Sequence, residues 1–190
     1  MCIRDRTNPA VDIDQLPPID LILLSHYHED HFDKLVEDSL RREIPIVTTP
    51  HAKKHLGSKD KPFTQITELD PFEVVTIGKD GNSNTITITA TPGDHVPPMI
   101  QPLNDLLGAV PPTNGWLVEL GSYRIYISGD TLMVDKLKEI PKYLDGAKVN
   151  LMLVHLGGTS IPGPNMPLVM VTMDANQGVE LVKLIQPEVT

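Results

Sequence analysis

From position 20 the sequence runs Asp20-Leu21-Ile22-Leu23-Leu24-Ser25-His26-Tyr27-His28-Glu29-Asp30-His31. Residues 20–25 read as a strand with apolar neighbours on both faces, the pattern of a sheet interior. Four side chains able to bind a metal follow at once: His26, His28, Asp30 and His31. Imidazole and carboxylate together suit a divalent transition metal, zinc foremost. On an extended stretch His26 and His28 alternate and face the same side. Asp30 and His31 fall where the chain turns into a helix and aim elsewhere. One short loop can thus give two adjacent ions two ligands each. The plainer alternative makes Asp30 the cap of a helix starting near Phe32, with the histidines as surface residues. Three of the chain's seven histidines within six positions at a strand end argue against it.

The stretch from Leu16 to His31 resembles the metal-binding segment of the metallo-β-lactamase superfamily. Within it, the resemblance is to the branch holding ascorbate-6-phosphate lactonases and N-acylphosphatidylethanolamine-hydrolysing phospholipases D. It extends from about Leu16 to Thr190. It implies an αββα four-layer sandwich, here incomplete, whereas the order of elements alone reaches only a generic α/β (α+β) class. It implies two divalent ions, zinc first and Mn2+ or Fe2+ as alternatives. His95, in Thr91-Pro92-Gly93-Asp94-His95, is then the third ligand of the first ion. Asp130, in Ser128-Gly129-Asp130-Thr131, is the carboxylate bridging both. A last histidine belongs on the strand after the final helix, expected beyond residue 190.

Composition sets the bounds. A chain of 190 residues, 40% of them hydrophobic, suffices for one domain with a core. No run of about 18 apolar residues suggests a membrane span. The net charge of −9 argues against a nucleic-acid or anionic-membrane binder. The single cysteine, Cys2, excludes an internal disulfide framework and fits a cytoplasmic location. Residues 1–6 lack periodicity and read as a non-native leader. Residues 7–190 read as a single domain without its N-terminal strands and C-terminal end, so this piece is expected to show little hydrolysis.

Further along, residues 33–42 read as a helix with Leu35, Val36, Leu40 and Ile44 on one side, broken by Pro45. Residues 46–48 form a strand, and Pro50 opens a short helix ending near Gly57. Residues 72–77 and 85–91 pair as a hairpin around Asp80-Gly81-Asn82, with Thr85, Thr87 and Thr89 on a polar face. Residues 93–114 read as a long proline-rich loop. A second hairpin, 116–120 with 123–128, turns at Gly121-Ser122. Helices at 134–143 and 174–185 flank a strand at 149–154.

Three further groups bear on chemistry. Asp94 reads either as support for a ligand or as a turn residue. His155 follows a strand and serves as a hydrogen-bonded rim residue, a substrate contact or a proton donor. His51 and His55 are four apart and can pair on one helix face, though surface histidines is the better reading. The loop from Gly93 to Asn114 carries Val96, Met99, Ile100, Leu103, Leu106, Leu107 and Val110 without one lysine or arginine. A second, Gly157 to Val171, carries Ile161, Met166, Leu168, Val169 and Met170 and also lacks positive charge. Phosphate substrates usually call for such cations.

The function expected is hydrolysis of an uncharged ester or lactone by a hydroxide held between two zinc ions. Asp30 orients the nucleophile and His155 helps the leaving group. The alternatives are a phosphodiesterase, a di-iron redox protein and a non-catalytic metal-binding protein. The partner is a small molecule, with oligomeric state left open.

Overall fold

In a computed structural model of the chain, residues 11–78, 85–108, 110–162 and 168–190 are described. The Asp80-Gly81-Asn82 turn, Met166 and the leader at residues 1–6 lie outside them. The chain forms two compact units, Met1–Glu68 and Leu69–Thr190.

The first unit is built on a parallel sheet of three short strands, β1 (Ile22–Leu24), β2 (Ile46–Thr48) and β3 (Ile66–Glu68), in that order. β2 is central, so the apolar run of β1 does not mark an interior strand among the described residues. Its side chains instead join an apolar cluster of Leu24, Phe32, Ile44, Ile46, Ala52, Leu56 and Phe63. Helix α1 spans Lys34–Ser39, and Asp33 caps it by accepting from the Val36 amide. The capping role is therefore Asp33's and not Asp30's. The helix ends six residues before Pro45, with Leu40 already extended as its C-cap. Leu35 is 75% exposed, contrary to its expected place on the inner face. The buried residue of α1 is Glu37, which Lys59 neutralises at 2.8 Å. Helix α2 (Pro50–Gly57) follows the expectation, with Thr49 capping it and Pro50 in its first turn.

The second unit holds a five-stranded sheet: β4 (Val74–Gly78), β5 (Thr85–Pro92), β6 (Asn114–Leu120), β7 (Tyr123–Ile127) and β8 (Leu151–Leu153). Spatial order equals chain order. The first three pairings are antiparallel, and β8 joins β7 in parallel. Thr89 and Thr91 are fully buried, so the polar face of β5 does not reach solvent at this end. Helix α4 (Glu139–Leu144) covers it, with the Tyr143 hydroxyl 3.4 Å from that of Thr89. Helix α5 (Ala175–Ile185), capped by Asp174, buries Leu181 and Ile185 in a cluster with Leu117, Tyr126, Ile140 and Met152.

The expected proline-rich loop contains a helix, α3 (Gln101–Leu107). Pro102 sits in its first turn, and Gly108 ends it in the left-handed conformation. The second apolar loop contains an antiparallel pair, β9 (Ser160–Pro162) with β10 (Leu168–Met170). Val189 makes an isolated parallel bridge to Leu151. No described helix is long and apolar enough to cross a membrane.

Candidate metal centre

The first unit carries the histidine loop. After β1 the chain leaves the sheet, and the amides of His31 and Phe32 both donate to the His28 carbonyl, at 3.0 and 2.9 Å. This tight turn folds His31 back beside the first histidine. The rings of His26 and His31 lie 4.3 Å apart, and His26 and His28 stack at 6.0 Å with their planes 25° apart. His26 is 1% exposed and has Ser25 Oγ 3.0 Å from its Nδ1. Asp30 reaches both outer histidines, His28 Nδ1 at 2.6 Å and His31 Nε2 at 3.9 Å. Within the loop, His26 and His31 bring their ligand atoms close enough to share an ion, while the exposed His28 stacks on His26 with its Nδ1 held by Asp30.

Such a cluster suits a divalent cation. Crowding imidazoles together is unfavourable if they gain protons, and favourable if their lone pairs face a shared ion. All the donors are nitrogen or carboxylate oxygen, which fits zinc, manganese or iron(II).

Tyr27 lies between the first two histidines and points the other way. Its hydroxyl donates to Glu37 Oε2 at 3.0 Å and also bonds Lys59 Nζ. Period-two alternation separates Tyr27 from its neighbours, and the Glu37–Lys59 pair holds it there. Nothing near Tyr27 in the sequence signals these partners, which are 10 and 32 residues away.

The second unit carries His95, Asp130 and His155. His95 is buried, with Nε2 2.9 Å from the Pro111 carbonyl oxygen. The segment that leaves after His95 and passes through α3 therefore returns to the same ring. Asp130 follows Gly129, whose φ of 61° turns the chain sharply after β7. The buried Asp130 carboxylate lies 3.2 Å from His155 Nε2. His155, half exposed, is thus held beside a candidate ligand.

Two hydroxyl residues brace this corner, and the sequence reading gave them no role. Thr131 Oγ1 accepts from the Asp94 amide at 2.9 Å, while the Leu132 amide donates to the Asp94 carbonyl at 2.7 Å. Ser128 Oγ accepts from the His155 amide at 2.9 Å. Ser128 and Thr131 flank Gly129-Asp130, so the backbone is tied down on both sides of Asp130. The signal was the Ser-Gly-Asp-Thr quartet itself, whose outer hydroxyls can bond backbone.

Asp94 is a turn residue. Its Oδ1 accepts from the Val96 amide at 3.1 Å and its Oδ2 from Lys136 at 3.2 Å. His51 and His55 do pair, with Nε2 atoms 3.2 Å apart, and His51 is half-buried rather than a surface residue.

Comparison with known proteins places these features in a family. The profile described as "Beta-lactamase superfamily domain" matches residues 3–190, and the chain belongs to that family. It is 25% identical over 182 residues to a UPF0173 protein of Pyrococcus furiosus, covering 95% of this chain and 69% of the relative. It is 27% identical over 166 residues to a UPF0173 metal-dependent hydrolase of Polaromonas, covering 80% of this chain and 55% of that protein. Among solved structures, the isothiocyanate hydrolase from Delia radicum gut bacteria superposes with a TM-score of 0.69 at 22% identity, over 95% of this chain and 64% of that one. The di-iron β-hydroxylase CmlA of Streptomyces venezuelae superposes with a TM-score of 0.63 at 18% identity, over 93% and 36%. The mixed α/β arrangement is thus shared with proteins of the metallo-β-lactamase fold. The chain spans under two thirds of both neighbours' length.

Proposed function

We propose that the chain is the ligand-bearing part of a metal-dependent hydrolase acting on an uncharged, partly apolar ester or lactone. The observation carrying this reading is the histidine loop: His26, His28 and His31 gathered side by side, with Asp30 on the outer two. His26, His28 and His95 are assigned to one ion, Asp30 and His31 to a second, with Asp130 shared. Family membership and the relatives named as metal-dependent hydrolases support the assignment. When bound, the ions would lower the pKa of water and polarise a substrate oxygen.

The residues of this chain do the rest. Asp30, already fixed to His28 and His31, accepts the proton of the attacking water. Ser128 and Thr131 hold Asp130 in place through the backbone of its neighbours. His155, 3.2 Å from Asp130, is the group placed to give a proton to the departing alkoxide.

The substrate class rests on the segment between His95 and Pro111. Met99, Leu103 and Leu106 are exposed there, Met99 at 91% and Leu106 at 80%. The nearby cation, Lys136, is already engaged by Asp94. An apolar acyl group fits such a wall better than a phosphate. The test is a metal count on the purified chain, then turnover of p-nitrophenyl butyrate and γ-lactones beside bis(p-nitrophenyl) phosphate by the full-length enzyme. Ester or lactone turnover exceeding the phosphodiester is expected. Comparable phosphodiester turnover overturns the substrate class, and protein that binds no metal overturns the site. Iron with a visible absorption band would favour the redox chemistry of the CmlA neighbour.

A further inference from the structure

We infer that helix α2 carries a second kind of metal site, a two-histidine clamp for a first-row transition ion formed by His51 and His55. Both residues lie on one eight-residue helix, one turn apart, so the helix itself fixes the geometry. Their Nε2 atoms are 3.2 Å apart. Two metal–nitrogen bonds of about 2.0–2.1 Å, meeting at an angle of about 100°, span that distance. The angle lies between the tetrahedral and octahedral values, so the separation suits a shared ion.

The environment favours the neutral, ligating form of the pair. Burial, with His55 and Lys54 close by, keeps the pKa of His51 below its ordinary value, leaving a lone pair available at neutral pH. His51 Nδ1 is buried with no hydrogen-bond partner among the described residues. The two Nε2 atoms share a single proton, and Nδ1 keeps the same surroundings whether a proton or an ion lies between them. An ion in place of that proton would engage both Nε2 lone pairs at once. His55 is also clamped from behind, its ring parallel to Tyr27 within 8° and 5.5 Å away. A stacked ring loses less freedom on binding than a loose one.

Among the described residues only these two donors meet at the site, so water would fill the remaining positions. The affinity falls below that of a four-ligand structural site. Lys53 and Lys54 weaken the binding further, although Lys53 is paired with Glu68 at 3.2 Å. The ion order should follow basicity toward nitrogen, with Cu2+ ahead of Ni2+ and Zn2+. The site is separate in sequence from the histidine loop and stands whether or not that loop binds metal.

The test is residue-resolved. The whole chain is treated with diethyl pyrocarbonate, with and without Cu2+, and the modified histidines are mapped by mass spectrometry. His51 and His55 should both be protected by Cu2+, and protection should persist in a His26→Ala, His28→Ala variant. In His55→Gln, Cu2+ should no longer protect His51, and the bound copper should fall by one ion with the circular dichroism unchanged. If that variant unfolds, His51→Gln supplies the same comparison at His55. Absence of copper protection in the parent protein overturns the clamp, as does equal protection of His51 in His55→Gln. Loss of protection in the His26→Ala, His28→Ala variant would also overturn it, by assigning the effect to the histidine loop.

Discussion

The Tyr27 hydroxyl donates a 3.0 Å hydrogen bond to Glu37 Oε2, joining the middle of the histidine loop to the one buried residue of α1. Replacing Tyr27 by Phe keeps the ring contact with Phe32, centroids 6.3 Å apart, but removes this bond. The loss should cost about 1–2 kcal/mol in urea unfolding. Because His26 and His28 flank Tyr27, the same variant should bind Zn2+ more weakly in a competition assay. Unchanged zinc affinity with reduced stability would limit Tyr27 to a folding role.

Gly115 on β6 has no room for a side chain. A Cβ there would lie 2.5 Å from Thr91 Oγ1 and 2.8 Å from the Ile127 carbonyl oxygen, which is backbone and cannot swing aside. Gly115→Ala should destabilise the fold by about 1–3 kcal/mol or prevent soluble expression. Differential scanning calorimetry on Gly115→Ala beside Gly57→Ala, where nothing lies within 4 Å, provides the control.

Thr131 tests how firmly Asp130 is held. Thr131→Val leaves the volume nearly intact but removes the acceptor for the Asp94 amide. We expect a loss of about 1–2 kcal/mol of stability. Metal content should fall further than in Thr64→Val, whose hydroxyl makes a 3.3 Å bond on the surface. Equal metal content in the two variants would count against the bracing role.

His51 gives a pH dependence in metal-free protein. Burial first, then His55 and Lys54, depresses its folded-state pKa below 6.5. The unfolded chain therefore takes up the proton first as pH falls. The stability from neutral His51 is complete above about pH 7 and is lost as pH drops through 6.5 toward the folded-state pKa. In chelator, thermal melts of the parent should fall more steeply from pH 7 to 5 than those of His51→Gln.

Leu106, 80% exposed on α3, separates binding from folding. Leu106→Glu should leave stability within about 0.5 kcal/mol. It should raise KM for apolar esters while kcat holds, if α3 lines the substrate. No change in KM would remove α3 from the binding surface.

The local features were legible and the long-range ones were not. The histidine loop reads directly because its ligands are consecutive and its strand is apolar. Helix α2 reads because Thr49, Pro50 and Gly57 punctuate it. Helix α3 was hidden by prolines that suggest a loop, although Pro102 near its start and Gly108 at its end are proper helix boundaries. Strand β3 is three residues long, too short for alternation to show. The burial of Thr89 involves helix α4, some fifty residues away, on the face that alternation assigned to solvent. The Lys59–Glu37–Tyr27 contacts depend on separations that no local pattern encodes. His95 and Asp130, in the second unit, were suggested by resemblance and not by local pattern, and with the histidine loop they remain the substance of the proposed site.

The five-stranded sheet keeps its strands in chain order, from β4 to β8. This has a kinetic consequence. From β5 onward each strand pairs with its immediate predecessor, and the short β6–β7 connection closes at small entropic cost and can nucleate. The β5–β6 pairing spans α3 and closes later, because its loop is longer. β8 comes last: it joins β7 in parallel, after a crossover through α4 that must be in place before the pairing gains anything. A slow refolding phase should therefore report the docking of β8, and a stopped-flow burst the hairpin beside it.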